Sequence, residues 1–173
     1  MAEEKKIEGM EPRFCEKVDL SEVYFTRFQP HDEIMGKLIE FCKQNKIERG
    51  VILSGIGSVY DTAFIDPKSG VAIPVEREKH LNVVEEWGPF ELQTLEGNIF
   101  PLHGEFGNMK HGDLVPHIHG TFGSKFGEIT GGHLIRAKVF TTCEVFIAKV
   151  KGSKVRKKKS AVTSLAEMRN DLE

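Results

Sequence analysis

The chain has 173 residues, 39% of them apolar and 29% charged, which is enough for one domain with its own core and short of two. That balance excludes a disordered polymer, and no apolar run approaches the roughly 18 residues of a helical membrane span. The formal charge of −2 hides an asymmetry: residues 149–159, "KVKGSKVRKKK", hold seven of the 24 Lys and Arg residues and no acid, so an acidic body meets a basic end.

Residues 1–13 begin "MAEEKKIEGMEP", polar and acidic where a secretory signal would be basic and then greasy. They predict a flexible leader on a cytoplasmic protein. Cys15, Cys42 and Cys143 are odd in number and lack C-x-x-C spacing, so reduced, mostly buried thiols are expected rather than a disulfide framework or a thiolate metal knuckle.

"VYFTRF" (23–28) is aromatic and β-branched and predicts a strand closed by Pro30. The period then changes. Ile34, Leu38, Phe41 and Cys42 fall on one face of a helix, with Asp32 as its expected N-cap and Gly50 as its stop. Strand character returns at 49–66, interrupted by Gly55 and Gly57, which mark a bulge, a bend or the close approach of another backbone. Further strands are expected at 81–85, 90–100, 114–122 and 137–150, most alternating apolar with polar residues as an antiparallel sheet with one covered face requires. One main helix and six to seven strands make the fold α+β, in a domain spanning 14–150. Residues 151–173 form a basic tail that ends in a short helix or frays.

The stretch "VPHIHGTFGSKFGEITGGHL" (115–134) carries the chemistry. In a strand, residues i and i+2 share a face, so His117 and His119 project two imidazoles toward a common point. Gly127, Gly131 and Gly132 let the following chain turn back beside its partner, which brings His133 to the same place. Three neutral imidazoles suit zinc or another divalent transition metal and leave a coordination position open for water, a small ligand or a further side chain. H-x-H also occurs as an ordinary pair of sheet histidines, so the spacing alone leaves both readings open. His103 and His111 lie upstream as candidates for a fourth ligand, while His31 and His80 are expected at the surface.

The ordered segments "LSGIGSVYDTAFID", "FELQTLEGNI", "PHIHGTF" and "GGHL" resemble the plant and prokaryote conserved (PPC) domain over roughly residues 18–150. The resemblance implies an antiparallel sheet of about seven strands, a homotrimeric assembly, and metal ligation, usually of zinc, by the histidines matching His117, His119 and His133. Plant members join the domain to an Arg-Gly-Arg-Pro segment that enters the minor groove of DNA, and this chain has none. Lys154, Arg156, Lys157, Lys158 and Lys159 supply comparable charge, enough for non-specific phosphate contacts and not for groove reading. The rival reading is a small-molecule metalloenzyme or ligand sensor using the open metal position. No motif assigns a catalytic role to the neighbouring Glu105, Asp113 or Glu128.

Overall fold

A computed structural model of the chain describes residues 14–68, 75–124 and 126–172. The expected leader, residues 1–13, therefore lies outside the described residues. Strand β1 (Asp19–Phe28) precedes helix α1 (Ile34–Gln44) and the long strand β2 (Gly50–Pro67). A single turn α2 (Arg77–His80) leads into β3 (Leu81–Glu86), followed by β4 (Phe90–Pro101), β5 (Leu114–Gly123) and β6 (Ile129–Lys151). The chain closes with a hairpin of β7 (Arg156–Lys159) and β8 (Ala166–Arg169).

The six larger strands form one antiparallel sheet in the order β1-β6-β5-β4-β2-β3, and β6 also pairs with β2. The pairings thus run β6–β5–β4–β2 and return to β6, bending the sheet around its own core. Strands of this length follow such a path only by breaking register, and the β2–β6 ladder does so between Ile52 and Ser54 and between Gly57 and Val59. The glycine interruptions at Gly55 and Gly57 lie in this bulged stretch.

Inside sit Leu95, Ile99, Ile118, Phe122, Leu134 and Val139, all buried. Helix α1 lies against β6 and β5 and contributes Ile34, Leu38 and Cys42 to the core. Its cap differs from expectation. Glu33 accepts the Met35 and Gly36 backbone N–H groups at 3.1 and 2.7 Å, while Asp32 accepts from Gln29 at 2.9 Å and fixes the preceding turn. The longer glutamate reaches N–H groups that an aspartate one residue earlier cannot. The helix ends at Asn45, whose side chain donates to the Phe41 carbonyl, and Gly50 already belongs to β2.

The tail is a hairpin and not a helix. Ser160 sets its turn, the hydroxyl accepting the Val162 and Thr163 N–H groups and the backbone N–H donating to Leu165. The hairpin is pinned to the body at three points: Ser153 and the Lys154 N–H donate to Glu16, Arg49 donates to the Val155 carbonyl at 2.9 Å, and the His103 N–H donates to the Lys157 carbonyl at 2.7 Å. Backbone pairing with β7 overrides the helix-forming composition of "LAEMR".

Candidate metal centre

Strand β5 alternates across the sheet, with Ile118 and Phe122 fully buried and His117 and His119 facing out. Strand β6 pairs with it so that His133 stands directly opposite His119. The three rings converge, with centroids 5.3 Å apart for His117 and His119, 5.1 Å for His117 and His133, and 5.5 Å for His119 and His133. One nitrogen of each lies within 4.8 Å of the others. Tetrahedral zinc with bonds of about 2.0–2.1 Å holds its nitrogens roughly 3.3 Å apart, so small ring rotations close the set on an ion.

Glycine makes this approach possible on both flanks of β5. Gly131 has φ 151°, and a Cβ there would lie 2.1 Å from the Gly120 carbonyl oxygen; Gly97 has φ 147°, and a Cβ there would lie 2.1 Å from the His117 carbonyl oxygen. Only a residue without a side chain lets β4 and β6 close on the histidine strand.

The electrostatics favour neutral rings. Burial and the neighbouring charges of His117, His119, Lys157 and Arg77 push the His133 pKa down to about 4, and burial, Lys157 and His119 lower that of His117. Such rings present lone pairs at neutral pH, with no proton for a metal to displace. No carboxylate joins the triad among the described residues, which leaves room for an exogenous ligand.

The remaining sequence candidates fall elsewhere. His103 and His111 pair with each other at 5.3 Å, outside the triad. His31 is exposed and bonds Tyr60, whereas His80, expected at the surface, is buried and accepts the Glu76 N–H. Asp113 accepts the Lys110 N–H in a turn, and Glu105 and Glu128 are exposed. Lys154, Lys158 and Lys159 are exposed and Arg156 half-buried, but Lys157 is 1% exposed and presents no charge to a nucleic-acid backbone at the surface. The inward turn follows from strand period: Val155 and Lys157 share the face that packs on the body. Sequence reasoning also passed over Asn98 and Glu96, which the β4–β5 register sets across from His117 and His119.

The family description of the Plants and Prokaryotes Conserved (PCC) domain matches residues 16–151. The chain belongs to this family. The PPC fold is shared with a PPC protein from Pyrococcus horikoshii, 24% identical, over 93% of this chain and 99% of that one at a TM-score of 0.72. A metal-containing protein from Archaeoglobus fulgidus is also 24% identical, over 91% of this chain and 99% of that one, again at 0.72. A protein from Bacteroides thetaiotaomicron, presented as a candidate DNA-binding protein, is 20% identical over 90% and 99% at 0.69. No curated protein matches the chain.

Proposed function

We propose that this PPC protein binds a divalent transition metal, zinc in the first instance, through His117, His119 and His133, and that the ion serves a small ligand at its remaining position. The observation that carries the reading is the convergence of three imidazole nitrogens within 4.8 Å on one sheet face with no carboxylate among them. When bound, the ion would receive three converging imidazoles, of which burial keeps His117 and His133 neutral, and would supply Lewis-acid polarisation of its ligand. The metal content of the Archaeoglobus fulgidus neighbour agrees with this.

The reading includes a cytoplasmic homotrimer. Leu20, Val23, Phe25 and Phe146 are between 45% and 58% exposed, and Phe25 and Phe146 stack at 4.7 Å across the β1–β6 pair. An apolar face of this kind supports burial against further copies of the chain, three by the family resemblance. The unpaired thiols of Cys42 and Cys143 suit a reducing compartment.

Elemental analysis of the purified protein tests the metal assignment. His117→Ala and His133→Ala should each lose most of the ion while keeping native circular dichroism, because two imidazoles hold zinc weakly. Either variant retaining one metal per chain refutes the assignment.

DNA binding is the second reading, favoured by the exposure of Lys154, Lys158 and Lys159 on and beside one hairpin and by the description of the Bacteroides thetaiotaomicron neighbour. Three exposed cations on a chain of net negative charge support weak, non-specific phosphate contact.

A further inference from the structure

Lys157 is out of place as a surface lysine. Its side chain is buried, and Nζ has neither solvent nor a hydrogen-bond partner among the described residues. Burying an unpaired ammonium costs several kcal/mol, so a native fold keeps one where something answers its charge. Nothing in the described chain does.

The surroundings indicate what is missing. The charge of Lys157 helps to lower the pKa of both His117 and His133, so the ammonium lies within electrostatic range of these two rings. Among the described residues four buried polar side-chain atoms lack a partner, and Lys157 Nζ, Asn98 Oδ1 and His103 Nδ1 are three of them. Asn98 stands across from His117 in the β4–β5 ladder, and the His103 N–H donates to the Lys157 carbonyl. An orphaned amide oxygen on the residue facing His117, and an orphaned ammonium within electrostatic range of the same ring, have the form of a ligand subsite.

The ligand class follows from charge. A divalent ion and an ammonium side by side repel each other, and the triad supplies no anion to separate them. We propose that Lys157 is the anion-recognition residue of the three-histidine site, and that the ligand is a small oxyanion, a carboxylate or a phosphate, held jointly by the metal and the buried ammonium. This rests on the metal reading above. Burial alone pushes the Lys157 pKa down to about 7, and an anion alongside would favour the protonated form, so ligand and charge support each other. The hairpin gains a purpose as well: β7 turns one cation inward toward the proposed metal site while Lys158 and Lys159 remain in solvent.

The full chain loaded with Co2+ is titrated separately with acetate, inorganic phosphate and acetamide while the visible spectrum of the ion is followed. Acetate or phosphate should change the spectrum saturably and acetamide should not, the first two arms telling which oxyanion fits. Lys157→Met should load Co2+ as fully as the wild type yet bind the anion roughly tenfold or more weakly, the loss expected for a charge-assisted hydrogen bond. The proposal is overturned if neither anion alters the wild-type spectrum, if acetamide binds as tightly as acetate, or if Lys157→Met keeps its anion affinity. Loss of Co2+ by Lys157→Met also overturns it, by assigning the amine to the metal. Should that variant not fold, Lys157→Gln, which removes the charge but keeps a polar side chain, is read in the same titration with the same two outcomes. A wild-type chain that takes up no Co2+ sinks the metal reading, and the proposal with it, a result distinct from a loaded protein indifferent to anions.

Discussion

Gly131→Ala tests whether the metal centre depends on how closely two strands approach. The added Cβ would lie 2.1 Å from the Gly120 carbonyl oxygen and 3.0 Å from the Thr121 Cα, both of them backbone atoms that no rotamer change can move. Ordinary contact therefore requires β5 and β6 to separate by about an ångström. The φ of 151° is itself a conformation that costs an alanine about 1–3 kcal/mol. Weakening the Thr121–Gly131 pairing adds about 1 kcal/mol, so the total loss is about 3 kcal/mol. The His119–His133 pair lies two residues along the same ladder, so the triad should open and metal affinity should fall with stability. Gly127→Ala is the control: φ is 78° but no atom of the described residues lies within 4 Å of the added carbon, so only the conformational cost of about 1 kcal/mol applies. Urea unfolding of the metal-free proteins gives the stability difference, and metal analysis of the loaded ones gives occupancy. Equal stabilities for the two variants, or full occupancy in Gly131→Ala, would show that the close approach does not build the site.

The pKa shift of His133 makes metal-free stability depend on pH. The folded value is depressed to about 4 from an ordinary value near 6.5, so between these the unfolded chain binds more protons, and stability should fall by up to about 3 kcal/mol as pH drops from 6.5 to 4. Urea midpoints across that range should show the loss and then a plateau, whereas flat midpoints contradict a buried neutral ring. Replacing Lys154, Lys158 and Lys159 together by Gln should reduce the slope of log binding constant against log salt for duplex DNA by up to about 2.7; an unchanged slope removes the hairpin from any DNA contact. Of the three free cysteines only Cys15 is exposed, and burial raises the Cys42 and Cys143 thiols to about 12. One thiol should therefore react rapidly with a disulfide reagent in the native protein and three after unfolding.

Legibility followed the range of the interaction. The triad could be read because its geometry is nearly local: H-x-H fixes two rings by strand period, and a glycine-rich return brings the third. Helix α1 could be read from its apolar face, but its cap could not, because Asp32 and Glu33 are both competent acceptors and side-chain reach decided between them. The first residues of β6 were lost to glycines that resemble loop punctuation, and in the fold those glycines are what hold the strand against its neighbour.

The basic tail shows a different limit. Composition presents "KVRKKK" as uniform charge, and uniform charge predicts solvent. Strand period divides it: once residues 156–159 pair as an edge, every second side chain must turn inward, whatever it is. Val155 before Lys157 is a faint sign of that inward face, too short to register as alternation. What placed Lys157 inside is therefore not its own preference but the docking of the hairpin backbone on His103 and Arg49, contacts separated by dozens of residues in sequence. A lysine buried against its own hydration energy by distant backbone contacts is a cost to folding. A fold keeps such a cost where the charge is answered, which under the anion proposal is at the three-histidine site.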